Sequence, residues 1–332
     1  HVLEANDKVL VAHDLYSEVR EAALKGFNGA ILDESLDSVD DIVKRLEETN
    51  ARVLYLDPMQ NRESMRCRDV QGVIDRWREK HPDRQLTVVV DGTMTSMADG
   101  LYDDPEDNVE VLYYASGCKY LQLGQDVVSA GMLAFPKHLT SKMKDIRRAT
   151  GTILYDSDAW AFPKIDKEFY DWRMNRMRRN AIVIADVINN DPALSPYVQA
   201  VYPGHPDHPD YDMTKDWPAT GGLMTFRFKD GALDHESLNR IVNDYIADAG
   251  AEGLSLVNGE SFGFRTPRIY VGWTPANSFP PFLRLAVGDR TLEETQAYAQ
   301  SLQKTLRAAL PQHYQTAPEN EARSRAGLRR DR

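Results

Sequence analysis

Two short stretches carry residue types that could do covalent chemistry at matched positions. In 86–93, Leu-Thr-Val-Val-Val-Asp91-Gly92-Thr93, an acid directly follows an apolar, β-branched run. At a strand end it would be partly shielded from water, and a shielded carboxylate is costly without a positive partner. In 111–120, Val-Leu-Tyr-Tyr-Ala-Ser116-Gly117-Cys118-Lys119-Tyr120, an amine closes a second apolar run among small hydroxyl and thiol side chains. Partial burial lowers an amine's pKa, which suits Schiff-base chemistry, and small neighbouring donors can hold a phosphate. Taken singly, Asp91 has the plain reading of a turn or cap residue and Lys119 that of a solvated surface amine. Together they pair an acid for a pyridinium nitrogen with an amine for an aldehyde.

For these groups to meet, both strands must end at one edge of the same sheet, and the surrounding elements support this. Runs at 9–12, 30–32, 53–57, 86–91, 111–115 and 132–135 are apolar, often β-branched and bounded by polar turns, which predicts strands. Between them Val39, Ile42, Val43 and Leu46 recur with the spacing of a helix packed on one face. Val70, Val73, Ile74 and Trp77 repeat it behind Asp69, a residue suited to an N-cap. Strands alternating with helices predict an α/β fold with a mostly parallel central sheet and helices on both faces. Ligands of such sheets sit outside the carboxyl ends of the strands. Three polar groups fall there, at 57–61, 91–93 and 116–119.

From 167 to 190 the pattern is that of a long helix, followed by a Pro/His/Asp-rich loop at 202–218. His205 and His208 read as parts of an ordered loop, so no metal is expected. Strand-like 222–228 and 282–287, with helical 237–249 and 292–310, predict a smaller α+β domain. The expected division is a large domain 1–165, a connecting helix with a small C-terminal domain 166–310, and a disordered tail 311–332.

The 332 residues suffice for a large core, and 42% hydrophobic with 27% charged residues is the profile of a soluble globular protein. A net charge of -11 argues against nonspecific nucleic-acid binding, because phosphate repels such a surface. No run approaches a membrane span, and the start has neither the basic nor the apolar region of a signal peptide. Cys67 and Cys118 offer no metal-ligand spacing and no disulfide framework, so a cytoplasmic setting is expected.

Around Asp91 and Lys119 a series of blocks resembles the Cys/Met-metabolism enzymes of pyridoxal-phosphate (PLP) fold type I. That family includes cystathionine γ-synthase, the cystathionine lyases and methionine γ-lyase. The resemblance runs in order through almost the whole chain to about Leu310. Val90-Asp91-Gly92-Thr93 is similar to VDNT, and Ser116-Gly117-Cys118-Lys119-Tyr120 to SATKY. This implies that Lys119 holds PLP as a Schiff base and that Asp91 partners the pyridine nitrogen. Thr93 would lie by the cofactor, with Ser116 and Cys118 by its phosphate. Residues 6–17, ending in Leu15-Tyr16-Ser17, resemble GDHVV…LYG, which implies that Tyr16 stacks on the ring. Leu56-Asp57-Pro58-Met59-Gln60-Asn61 resembles LETPSNP and implies that Asn61 lies near the phenolic oxygen. Glu260-Ser261-Phe262-Gly263 resembles ESLGG, and Leu283-Arg284-Leu285-Ala286-Val287-Gly288 resembles LRLSVG. In the family that serine and arginine bind the substrate α-carboxylate, a task that suits a bidentate guanidinium.

The resemblance implies PLP-dependent γ-replacement on an amino acid with a γ-leaving group, such as an activated homoserine. Glu260 ahead of Ser261 is the choice of the synthase and γ-lyase branches. Elimination to a 2-oxo acid and ammonia is the alternative, and a catalytically silent subunit of the same fold is a third. Arg284 and Ser261, beside Glu260, would bind the substrate, Lys119 would remove the α-proton, and Tyr16 would help to move protons. The family's dimer of dimers, with sites at subunit interfaces, implies a homo-oligomer.

Three departures stand out. The family's SGM turn, which grips the PLP phosphate, and a Tyr-x-Arg segment that reaches a neighbouring subunit have no counterpart in this sequence. Either an N-terminal part precedes this start, or another chain supplies it, or cofactor binding is weakened. Gly92 and Gly117-Cys118 replace more usual residues. Finally, 264–281, with Arg265, Arg268, Tyr270 and Trp273, departs from the family's loop over the substrate, which implies a specialised one.

Overall fold

Each apolar run of the first half becomes a strand of one sheet. In the computed structural model, residues 3, 5–96, 108–164, 166–217, 220–229, 233–272 and 280–327 are described, with side chains described up to 310. Strands β1 (Lys8–Ala12), β2 (Gly29–Asp33), β3 (Val53–Leu56), β4 (Leu86–Asp91), β5 (Val109–Ser116) and β6 (Gly131–Ala134) lie in the order β2-β1-β3-β4-β5-β6. All neighbours are parallel except β5 and β6. Val9, Leu10, Val11 and Ala12 are all fully buried, as expected of a parallel strand covered on both faces.

Helices α1 (Ser17–Gly26), α2 (Val39–Thr49) and α3 (Val70–Lys80) connect these strands. Ser38 opens α2 by accepting from the Asp41 amide, and α2 ends on Asn50 in the left-handed region. Asp69 opens α3 in the same way, accepting from Gly72 N–H at 2.8 Å. The buried stripes Ile42, Val43, Leu46 and Val70, Val73, Ile74, Trp77 join the sheet in one core.

Helices α4 (Thr140–Thr150) and α5 (Asp156–Ala161) lead into the 23-residue α6 (Lys167–Asn189). Strand β7 (Val198–Val201), α7 (Tyr211–Thr214), β8 (Leu223–Phe228), α8 (His235–Ala251), β9 (Val257–Asn258), β10 (Arg268–Gly272), β11 (Phe282–Ala286) and α9 (Leu292–Gly327) follow. Their sheet runs β7-β8-β11-β10-β9, antiparallel except for the β10–β9 pair. A second core joins it to α6, α8 and α9. The tail expected from 311 continues as helical backbone to Gly327, and 328–332 lie outside the described residues.

Named contacts lock the two halves together. Arg66 forks onto Asp210 at 2.7 and 2.8 Å, Thr225 Oγ1 donates to Glu63 O at 2.7 Å, and Gly222 N–H donates to the Tyr120 hydroxyl at 2.9 Å. Arg173 of α6, buried, donates to Asp289 and to the Gly263 carbonyl, both at 2.7 Å. In the loop after β7, His205 Nε2 meets Asp186 and His208 Nε2 meets the Ser64 carbonyl. Both Nδ1 atoms accept backbone amides, from Asp207 and Asp210. Pro218 and Trp273, singled out in the sequence, lie outside the described residues. Both cysteines are free thiols. Among the described residues no helix is long and apolar enough to cross a membrane.

Candidate active site

The carboxyl ends of β3, β4 and β5, the start of α1, the 260–262 segment and β11 surround one cavity of about 1030 Å3. Parallel pairing brings the strand ends together: Asp91 lies opposite Tyr114 in the β4–β5 ladder, and Lys119 follows three residues after β5. Tyr16, Asn61, Asp91, Thr93, Ser116, Lys119, Glu260, Ser261 and Arg284, all expected at the site, line this cavity. Cys118 is not among its lining residues. Its Sγ is directed to the carbonyls of Val128 (3.5 Å) and Ala130 (3.7 Å), and its amide donates to Ser116 Oγ at 3.3 Å.

Lys119 Nζ donates to Ser261 Oγ at 2.6 Å and lies 5.3 Å from the centroid of the Phe262 ring. Burial, more than any neighbour, pulls its pKa below the ordinary lysine value, and the Arg284 charge adds to the effect. The close approach depends on Gly263, whose φ of +87° suits glycine and where a Cβ would lie 2.7 Å from the Lys119 carbonyl carbon. Ser261, expected at a substrate carboxylate, is therefore placed on the amine itself.

Asp91 is 3% exposed, and burial raises its pKa against the hydrogen bonds it accepts. The Thr93 amide donates to its Oδ1 at 3.0 Å, and the neighbouring Thr93 and Tyr114 hydroxyls also hold the pKa down. Thr93 Oγ1 also accepts the Ser116 amide at 3.0 Å, tying the two strand ends together. Gly92 between them has no room for a side chain, because the Tyr113 ring occupies the position of a Cβ and its hydroxyl donates to Gly92 O at 3.2 Å.

Arg284, in the middle of the second sheet, is 5% exposed. Its Nη1 donates to Asn61 Oδ1 at 2.7 Å and its Nη2 to the Glu260 carbonyl at 3.3 Å, while the guanidinium lies 4.6 Å over the Tyr270 ring. Its Nε is buried without a partner. Asn61, expected near a cofactor oxygen, is thus held by the arginine. Tyr16 stands at the start of α1, and burial followed by the Glu260 carboxylate raises its hydroxyl pKa, so it remains a proton donor.

Tyr114 and Phe262, which the sequence reading passed over, also line the cavity, as does Asp57, expected there in the polar group at 57–61 but given no role. Asp57 is 2% exposed, and burial with the nearby Asp91 charge drives its pKa well up. The rule that selected Asp91, a polar group just past a strand, selects Asp57 equally. Tyr114 could have been found from its two-residue offset to Ser116, which puts both on one face.

A family profile described as Cys/Met metabolism PLP-dependent enzyme matches residues 1–251. The bifunctional enzyme flvA of Aspergillus flavus is 32% identical over 289 residues, 86% of this chain but 34% of that protein. Cystathionine gamma-lyase of Dictyostelium discoideum is 24% identical over 238 residues, 70% of this chain and 58% of that protein. The chain therefore spans between a third and three-fifths of the length of these curated relatives. Among solved structures, cystathionine gamma synthase of Xanthomonas oryzae superposes with a TM-score of 0.71 at 19% identity, over 93% of this chain and 78% of that one. Yeast cystathionine gamma-lyase gives 0.71 at 20% identity, over 92% and 77%. At these identities the superpositions establish the PLP fold type I architecture.

Proposed function

Because this chain belongs to the Cys/Met-metabolism PLP-dependent enzymes, we propose that its cavity binds PLP through Lys119 and Asp91 and performs γ-replacement on an amino acid with a γ-leaving group. The observation that carries the reading is the convergence of unneutralised groups on one cavity. Among the described residues Lys119 has no carboxylate in ion-pair range, buried Asp91 has no cation, and Arg284 keeps a partnerless buried Nε. An aldehyde for the amine, a pyridinium for the acid and a carboxylate for the guanidinium satisfy all three. The residues fit the cofactor.

When bound, PLP supplies an aldehyde that condenses with amines and a ring that withdraws electrons from the substrate Cα. Asp91 would hold a proton on the ring nitrogen. Arg284 would bind the substrate α-carboxylate, with its plane fixed by Asn61, the Glu260 carbonyl and Tyr270. The Lys119 amine, made more basic-form at neutral pH by burial, would take the Cα proton, with Ser261 Oγ orienting it. The Tyr16 hydroxyl would return a proton. Phe262 shields the amine from water on one side. The cavity, about 1030 Å3, has room for PLP together with an amino-acid substrate. In the same reading the protein forms a homo-oligomer, supported by Tyr155 and Trp160, 77% and 84% exposed.

The test begins with PLP and borohydride. Reduction should leave one covalent label, located on Lys119 by mass spectrometry. O-acyl homoserines with a thiol should then yield a thioether amino acid. Release of a 2-oxo acid in equal amount with and without the thiol would assign elimination instead, and a protein that takes up no label would refute the enzyme reading.

A further inference from the structure

The proposed chemistry leaves two tyrosine hydroxyls behind Asp91 unused. Tyr55 lies opposite Val89 in the β3–β4 ladder, and Tyr114 lies opposite Asp91 in the β4–β5 ladder. Val89 and Asp91 are two residues apart, so Tyr55, Asp91 and Tyr114 share one face of the sheet. Tyr55 reaches across β4 and brings its hydroxyl to 3.0 Å from that of Tyr114, with the rings edge to face at 6.0 Å and 84°. Tyr114 stands directly opposite Asp91 and lines the same cavity, and the interaction of its hydroxyl with the carboxylate holds the Asp91 pKa down against burial.

This file has one sense. A carboxylate accepts and cannot donate, so Tyr114 spends its single O–H on Asp91 and offers an oxygen lone pair to Tyr55. Burial and the Asp91 charge raise the Tyr114 pKa, and burial raises that of Tyr55 to about 12, so both hydroxyls keep their protons at neutral pH. Packing alone would not call for the hydroxyls, since phenylalanine rings would fill the same space. What the hydroxyls add is charge delocalisation: donation by Tyr55 makes Tyr114 a stronger donor, and the carboxylate becomes less basic.

We propose that Tyr114, itself held by Tyr55, is a positioning residue that keeps Asp91 ionised and thereby keeps the shared proton on the pyridine nitrogen of PLP. This rests on the reading of Asp91 as the partner of that nitrogen. Removing the Tyr114 hydroxyl makes the carboxyl more basic, so the shared proton moves from nitrogen toward oxygen.

The experiment loads wild type, Tyr114→Phe and Tyr55→Phe with PLP labelled with 15N in the ring and records the nitrogen resonance. Wild type should show the protonated ring. Tyr114→Phe should move toward the neutral-pyridine position and bind PLP about ten-fold more weakly, and Tyr55→Phe should move the same way by less. Both variants should melt close to wild type, since their rings remain. An unchanged resonance and affinity in Tyr114→Phe, with the Lys119 label still forming, overturns this proposal alone. A wild type that forms no label at Lys119 overturns the cofactor reading, and this proposal with it.

Discussion

Replacing Arg284 by lysine separates the geometry of the guanidinium from its charge. The side chain offers five N–H donors, of which three are engaged, by Asn61 Oδ1 at 2.7 Å, by the Glu260 carbonyl at 3.3 Å and weakly by Met94 Sδ at 4.0 Å. Two remain, including the partnerless Nε, enough for a two-pronged grip on a carboxylate. A lysine keeps the positive charge but loses one prong and the stacking on Tyr270, 4.6 Å away. The lost charge-assisted hydrogen bond amounts to about 1.5–3 kcal/mol, or roughly a ten- to hundred-fold rise in KM. Because the α-carboxylate is held alike in the ground and transition states, kcat should change much less. The assay is steady-state turnover of an O-acyl homoserine, repeated with the α-carboxamide. Wild type should prefer the carboxylate over the carboxamide, and Arg284→Lys should have lost most of that preference. A variant with KM within about three-fold of wild type, or with the wild-type preference intact, would falsify the assignment of Arg284.

Three further outcomes are expected. The Lys119 pKa lies below its ordinary value of 10.5, so the rate of PLP capture should rise with pH and level off at a midpoint under 10.5; stopped-flow absorbance showing a midpoint at or above that value contradicts the burial argument. Asp57→Asn should change the pH dependence of stability: a carboxyl with a raised folded pKa stabilises fully below its ordinary 3.8 and loses that contribution as pH rises through the folded value. Thermal melts of wild type should therefore fall relative to Asp57→Asn over that rise, and parallel curves would show that Asp57 is not shifted. Gly92→Ala should destabilise by about 1–3 kcal/mol because the added carbon collides with the Tyr113 ring, and an unchanged denaturant midpoint would show that β4 and β5 pack more loosely than described.

The periodicity of the first half was legible because burial on both faces of a parallel strand leaves an uninterrupted apolar run. All six strands expected there are present, with Asp91 closing β4 and Asp57 and Lys119 just beyond the ends of β3 and β5. The sequence was less informative where local pattern and tertiary role part. Strand β10 fell inside a stretch read as a divergent loop: Arg268-Ile269-Tyr270-Val271-Gly272 is half-buried against β11, with Arg268 over the Phe264 ring and Tyr270 beneath the Arg284 guanidinium. Strand β7 is four residues long and β9 two, too short for a period to register.

Chain order and residue type, by themselves, established which groups stand at strand tips and so which chemistry was available: an amine, an acid and a guanidinium. The directions of those groups could not be read there, because a hydrogen-bond partner is chosen by the third dimension. Folding alone decided that Ser261 meets Lys119, that Asn61 holds Arg284, that the Cys118 thiol faces two carbonyls, and that two tyrosines line up behind Asp91. Each of these pairings joins positions set by strand register or segment packing rather than by any local spacing, and a one-residue shift of register would turn Tyr55, Asp91, Tyr114 or Arg284 to the opposite face of its sheet.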